Sequence, residues 1–152
     1  MGKQPRWTQT WIGGTRAAGV DLGYPGERLG FPRAGSGSVS GFGRRLGAIT
    51  VDWLICTWAI AGGLLRADPR GATWVGLAVF AVEYILLVGT IGMTFGMRLF
   101  GVRVATLDGG RPAFGSVVLR TLLLCLVIPA VVWDRDQRGL HDRAARTVVV
   151  RL

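Results

Sequence analysis

Three long apolar segments alternate with polar, glycine-rich connections along the chain. The segments cover about residues 46–65, 74–91 and 114–133. A helix of about 20 residues, rising about 1.5 Å per residue, spans the roughly 30 Å hydrocarbon layer of a bilayer. The pattern therefore predicts an all-α membrane protein with three hydrophobic helical segments. Pro129 lies near the end of the third segment, so a shallow re-entrant hairpin is the alternative to a full span.

The connections between the segments differ in length and character. The link at 66–73 is short, and such a link makes the first two segments antiparallel neighbours. Residues 92–115 are predicted to form a partly ordered surface loop, in which 99–107 alternate roughly like a strand. Asp108-Gly109-Gly110 has the composition of a tight turn, and the charged tail ends in the β-prone sequence TVVV.

Residues 1–43 form an arm that is rich in glycine and arginine and precedes the first apolar segment. This composition predicts a disordered arm or one that lies along the membrane surface. The aromatic residues within it favour the headgroup level or docking onto a partner: Trp7, Trp11, Tyr24 and Phe31. No apolar run opens the arm, so we expect no cleavable signal peptide. The predicted organisation is an arm at 1–43 and a membrane domain at 44–152.

The charge of the chain predicts a binding partner and an orientation in the membrane. The chain has 18 Lys and Arg residues against 9 Asp and Glu, and its net charge is +9. Basic flanks suit a bilayer with anionic headgroups, whereas no motif for reading nucleic acid accompanies them. We expect a multi-pass protein of the plasma (inner) membrane, and the distribution of basic residues predicts a cytoplasmic amino terminus. Three full spans would place the equally basic tail outside, and a re-entrant third segment would keep it inside.

Three ionisable side chains interrupt the apolar segments, and they are the candidate site. Asp52 and Glu83 fall at similar depth in the predicted antiparallel hairpin, and Arg120 lies near the start of the third segment. A charge at the bilayer centre costs about 2.5–3.5 kcal/mol or more, so such residues need a partner or a function. Asp52 and Glu83 are candidates for an ion or proton site, or for pairing with an arginine such as Arg45. Arg120 is a candidate counter-ion for Asp52, or a cation that reaches the headgroups.

Catalytic and metal chemistry find no support in the sequence. His141 is the only histidine, and Cys56 and Cys125 lie in separate apolar segments without a metal-ligand spacing. Walker, dinucleotide-binding and Ser–His–Asp patterns are absent from the sequence. We therefore expect no enzyme activity, no cofactor and no metal site. Asp142 is expected to cap a helix or to pair with an arginine such as Arg45.

Short stretches in a fixed order carry a resemblance to a known family. They are RLGAITVD at 45–52, GMTFGMR at 92–98 with VRV at 102–104, and RGLHD at 138–142 with TVVV at 147–150. Together they resemble the RDD family of bacterial membrane proteins over about residues 40–152, although that family usually has Lys at the position of Met97. The one arginine and two aspartates of the family name match Arg45, Asp52 and Asp142. The arginine-rich composition resembles that of actinobacterial proteins.

The resemblance implies a membrane protein of a family without an agreed biochemical activity, in which ion or solute transport has been suggested for some members. Two hypotheses follow. In the first, an oligomer moves a cation, proton or small solute, because three helices alone enclose little pathway. In the second, the chain is an accessory or assembly subunit of a larger membrane complex.

Overall fold

The computed structural model describes residues 23–68, 70–126 and 136–152, which are mostly helical. The helices are α1 (Phe42–Leu54), its π-helical continuation (Ile55–Leu64), α2 (Ala72–Thr90), α3 (Phe95–Leu99), α4 (Phe114–Cys125) and α5 (Leu140–Ala144). A 3₁₀ turn at Glu27–Leu29 precedes them, and the strands are β1 (Val102–Thr106) and β2 (Thr147–Arg151).

The first two predicted segments form helices that are long and apolar enough to cross a membrane. These helices cover Phe42–Leu64 and Thr73–Thr90, close to the predicted 46–65 and 74–91. Only 22% of the apolar window of each helix is buried within the chain. Large apolar side chains on these helices are therefore exposed. Trp58, for example, has 74% of its surface accessible. Contiguous apolar surface of this extent is rare on soluble monomers and fits a lipid environment.

The third apolar segment is described only in part. Its helical portion, α4, has 12 residues and packs against α2. Residues 127–135 lie outside the described residues, so the predicted span at 114–133 is followed only as far as residue 126. Pro129, on which the re-entrant alternative depends, falls in that range. A helix of 12 residues is about 18 Å long, which by itself is too short to cross the hydrocarbon layer.

A two-stranded antiparallel sheet lies beside the helices, and the predicted all-α class left it out. β1 pairs with β2, with Val104 opposite Val149. Val104 and Val149 belong to the core that includes the helices, whereas Val148 and Val150 point to the other face. Both faces of the sheet are therefore buried, which explains the uninterrupted apolar sequence of β2. The strand-like pattern at 99–107 and the β-prone tail both coincide with a strand.

Part of the amino-terminal arm covers the outer face of this sheet. Val39 pairs with Val150 on the free edge of β2, and Phe31 and Val39 pack with Val148 and Ala105. Only 8% of the surface of Phe31 is exposed. The prediction of a disordered arm is therefore wrong for residues 23–43, whereas the alternative of an arm that lies along the membrane surface stays a prediction. The outer face of the sheet needs an apolar cover, and this segment supplies it. Trp7 and Trp11 lie outside the described residues.

Candidate functional site

Asp142 joins two arginines that come from different helices. Arg45 Nη1, in the first turn of α1, donates to Asp142 Oδ2 at 3.1 Å. Arg120 Nε, in the middle of α4, donates to Asp142 Oδ1 at 2.8 Å. All three side chains are buried, and Asp142 is 0% exposed. We call Arg45, Arg120 and Asp142 the charged cluster; it ties α1, α4 and α5 together at the end of the helices that faces the sheet.

The surroundings of Asp142 keep its carboxylate charged. Burial opposes the charge, but Arg120, His141 and Arg45 outweigh it and hold the pKa of Asp142 below its usual value of 3.8. His141 Nε2 lies 3.5 Å from Asp142 Oδ1. Asp142 also lies in the first turn of α5, where the peptide dipoles favour a carboxylate. A charged, buried and doubly paired carboxylate can hold elements together firmly.

Further hydrogen bonds connect the charged cluster to the sheet. Arg45 Nη2 donates to the carbonyl of Val149 at 3.1 Å. Thr147 Oγ1 lies within hydrogen-bond reach of the Asp142 carbonyl at 3.4 Å, and Arg138 Nε donates to the Thr147 carbonyl at 3.1 Å. These bonds place the first turn of α1 and the start of β2 on the same side of the helices. The arm segment that pairs with β2 lies on that side too.

Asp52 makes its contacts with a different element, the short helix α3 that follows α2. Its Oδ2 accepts from Thr94 Oγ1 at 2.5 Å, and its Oδ1 accepts from the backbone N–H of Gly96 at 2.6 Å. Thr94 is itself the N-cap of α3 and accepts from the N–H of Met97. The carboxylate and the hydroxyl thus satisfy amides that a helix start leaves without partners. Asp52 is 0% exposed, and its contacts lock α3 onto α1.

The glycines of the GMTFG sequence make this contact possible. A Cβ atom at Gly96 would lie 2.2 Å from the carbonyl oxygen of Ala48, so only glycine allows α3 to approach α1 this closely. Gly92 adopts a φ of +86°, which lets the chain turn at the end of α2. These requirements explain the spacing of glycine and threonine in the sequence.

Glu83 lies in the middle of α2 and contacts the first span. Cys56 Sγ donates to Glu83 Oε2 at 3.1 Å, whereas Glu83 Oε1 is enclosed and has no hydrogen-bond partner among the described residues. Cys56 follows Asp52 by one helical turn, so the two acids fall at similar depth, as the hairpin geometry predicts. Trp53 and Phe80 pack edge to face at 5.9 Å in the same layer. We call Cys56 and Glu83 the mid-span pair.

In the structure, several of the candidate residues have partners other than the expected ones. Arg120 does not pair with Asp52, because its guanidinium is bound to Asp142 and its side chain is 2% exposed. Asp52 takes Thr94 and Gly96 as partners instead of an arginine. Asp142 does pair with Arg45, which was one of its expected alternatives.

Sequence reasoning missed two residues at these sites. Thr94 was not a candidate, although a threonine followed by the first turn of a helix is a typical N-cap signal. Tyr84 gave no sequence signal; its ring lies 5.4 Å from the Arg120 guanidinium carbon and contributes a cation–π contact. Among the described residues, no three His, Cys, Asp or Glu side chains are arranged to hold a metal ion.

Comparison with known proteins adds one finding. The model of the RDD family matches residues 39–146, which is more than half of the chain. The match includes Arg45, Asp52, Arg120 and Asp142. No curated protein and no solved structure matches the chain.

Proposed function

The chain belongs to the RDD family, a family of membrane-associated bacterial proteins, and from that premise we propose that it acts as an accessory or assembly subunit of a larger membrane complex. The proposal rests on the burial and the hydrogen bonding of the two aspartates after which the family is named. Asp52 and Asp142 are both 0% exposed, and each accepts hydrogen bonds from groups of its own chain. Carboxylates that are buried and hydrogen-bonded in this way stabilise the fold and do not line a transport pathway.

The surface that such a subunit would offer lies on the second span. Ala78, Val79, Val82 and Glu83 line an open groove of about 340 Å³ on one face of α2. Val82 is 56% exposed. Small side chains let membrane helices approach closely, and a polar side chain in hydrocarbon favours association with a helix that offers it a partner. The groove therefore fits a helix from a second copy or from another subunit.

Native mass measurement tests this proposal. The full chain, extracted with its lipids in a mild detergent, is expected to appear in a complex heavier than the 16.3 kDa monomer. Ala78→Trp fills the groove and is expected to reduce the fraction in the complex at least severalfold. Leu122→Trp, on the exposed face of α4, is the matched control and should leave it unchanged. Monomer alone, both in native lipid and in mild detergent, would contradict the proposal.

We also propose that the arm, the sheet and the tail share the cytoplasmic side of the plasma membrane. The charge of the arm supports a cytoplasmic amino terminus. The contact of Asp142 with Arg45 supports a tail on the same side, which requires the third segment to return without crossing. A reporter that is active only in the cytoplasm, fused after Leu152, should be active. An inactive fusion, together with activity of the same reporter on the far side, would refute this topology.

Transport by an oligomer is the second candidate, and one observation favours it. Glu83 Oε1 has no partner among the described residues and lies beside the α2 groove in the middle of the span. At an interface between copies, this carboxyl group is suited to bind a proton or a cation. Glu83→Gln should then abolish flux in proteoliposomes while the protein keeps its thermal stability. Equal flux in the wild type and the variant would eliminate this role.

A further inference from the structure

Three exposed arginines lie near helix ends on the side of the molecule that carries the sheet. Arg44 is in the first turn of α1, Arg98 is in α3, and Arg111 lies just before α4. We call these three residues the arginine belt. None of them forms an ion pair with another residue that the structure describes. The belt therefore presents its positive charge to the surroundings of the chain.

Backbone carbonyl groups hold two of the guanidinium groups in place. Arg44 Nη1 donates to the carbonyl of Phe100 at 2.9 Å, at the end of α3. Arg111 Nη1 donates to the carbonyl of Thr90 at 3.3 Å, at the end of α2. A guanidinium has several N–H donors, and each of these bonds uses one of them. The remaining donors can bind an acceptor outside the chain without loss of the anchoring bond.

Large apolar side chains next to the arginine belt are exposed as well. Phe95 and Leu99 are four residues apart and share one face of α3, and 72% of the surface of Leu99 is accessible. The other exposed apolar neighbours are Phe42 and Leu46 in α1, Ile91 after α2 and Phe114 in α4. Arginine beside exposed apolar side chains suits the boundary between hydrocarbon and headgroups, because the cation reaches the phosphates while the apolar groups contact acyl chains.

The length of α1 places Arg44 at this boundary. Arg44 precedes Cys56 of the mid-span pair by about 18 Å of helix, at about 1.5 Å per residue. Half of the hydrocarbon layer is about 15 Å, so Arg44 lies just beyond it when the mid-span pair is near the bilayer centre. The bond from Arg44 to Phe100 brings the end of α3, with Arg98, to the same level.

We propose that the arginine belt binds the phosphodiester groups of anionic phospholipids, whose acyl chains lie along the exposed face of α3. Charge complementarity favours an anionic lipid over a zwitterionic one, because the ammonium group of the latter is repelled by three arginines without an ion-pair partner in the described chain. The apolar neighbours favour a lipid over a soluble anion, since Phe95 and Leu99 would stay in contact with water beside inorganic phosphate. This lipid site is independent of any partner subunit and of any transport activity.

A lipid titration of the full chain tests this inference. The chain is purified in a neutral detergent and titrated with phosphatidylglycerol or with phosphatidylcholine of identical acyl chains, and bound lipid is counted by native mass measurement. A basic residue near an anionic surface contributes a factor of about five in affinity. We therefore expect phosphatidylglycerol to bind roughly tenfold or more tightly, with a preference that weakens as salt is added. Equal affinities for the two lipids would overturn the proposal.

Two double variants with the same loss of charge locate the site. Arg44→Gln with Arg98→Gln keeps a donor on each side chain but removes two charges, and it should lower the preference for phosphatidylglycerol by roughly 5- to 25-fold. Arg28→Gln with Arg33→Gln removes two charges from exposed positions of the arm and should leave the preference unchanged. All four residues are exposed, so neither variant should affect folding. An equal loss in both variants would show a general effect of net charge and would contradict a site at the belt.

A competition experiment and an apolar variant distinguish a lipid from a soluble anion. Inorganic phosphate should not displace phosphatidylglycerol, because it makes no contact with the exposed face of α3. Leu99→Gln leaves the belt intact and should weaken the binding of both lipids severalfold, since it removes apolar contact area. Displacement by phosphate, or unchanged lipid affinities in Leu99→Gln, would refute the assignment of the surface to phospholipid.

Discussion

The carboxylates of Asp142 and Glu83 are both removed from bulk water, but they differ in what surrounds them. Each oxygen of Asp142 is bound by a guanidinium, and the contacts reach two helices and a strand. Glu83 accepts only from the thiol of Cys56, a weak donor, and its second oxygen has no partner among the described residues. The comparison shows that both oxygens of one carboxyl group are paired within the chain, whereas the other carboxyl group has one enclosed oxygen without a partner among the described residues.

The largest expected effect follows from neutralising Asp142. Asp142→Asn leaves two arginines buried next to each other without a counter-charge, and we expect it to lower the free energy of unfolding by about 3–5 kcal/mol. Chemical denaturation in detergent measures the change. Asp108→Asn, in an exposed turn, is the matched control and should stay within about 0.5 kcal/mol. A loss below about 1 kcal/mol for Asp142→Asn would mean that the charged cluster does not hold the helices to the sheet.

A pair of glycine variants tests the contact between α3 and α1. Gly96→Ala places a methyl group against the backbone of Ala48, and it should destabilise the protein by about 1–3 kcal/mol. Gly115→Ala, in the first turns of α4, meets nothing within 4 Å and should be neutral or stabilising by up to about 1 kcal/mol. The difference in unfolding midpoint between the two variants is the readout. Equal midpoints would contradict the close approach of the two helices.

The two acids inside the spans should respond differently to the same chemical change. Asp52→Asn replaces one carboxylate oxygen by an NH₂ group and disrupts a bond to Thr94 or Gly96, so we expect a loss of about 1–3 kcal/mol. Glu83→Gln replaces a carboxyl group that lacks a full set of partners by an amide of the same shape, and its effect on stability should stay within about 1 kcal/mol. Parallel unfolding curves measure both. A greater loss for Glu83→Gln than for Asp52→Asn would reverse the assignment of roles.

The smallest effect is expected from mild acidification. Because the folded pKa of Asp142 is depressed, its contribution to stability is fully present above the unfolded value of 3.8 and is lost as the pH falls through the folded pKa. The difference in stability between the wild type and Asp142→Asn should therefore hardly change between pH 7 and pH 5. It should shrink only below about pH 4. A difference that already vanishes at pH 5 would show that Asp142 is not held in its charged form.

Local patterns predicted the elements that depend on neighbouring residues. The apolar runs located both long apolar helices to within a few residues, and the glycines after Asp108 marked a turn, in which Gly109 N–H donates to the Thr106 carbonyl. The resemblance drew attention to Arg45, Asp52 and Asp142, and the pairing of Asp142 with Arg45 was one of the expected alternatives, whereas the partners of Asp52 and Arg120 were not predicted. The order of residues 23–43 was missed because their composition is that of a flexible chain, and only the outer face of the sheet, which they cover, gives Phe31 and Val39 a place to pack.

The sequence by itself determined the extents of the two long apolar helices, because an uninterrupted apolar run between polar, glycine-containing connections can be recognised from neighbouring residues alone. It also determined the strand character of the tail, since β-branched residues favour extended structure. Only the tertiary structure decided which charges meet. Arg45 and Asp142 lie 97 residues apart, and Asp52 and Thr94 lie 42 apart. Such contacts depend on how helices and sheet pack together, and no local pattern in the chain specifies that packing.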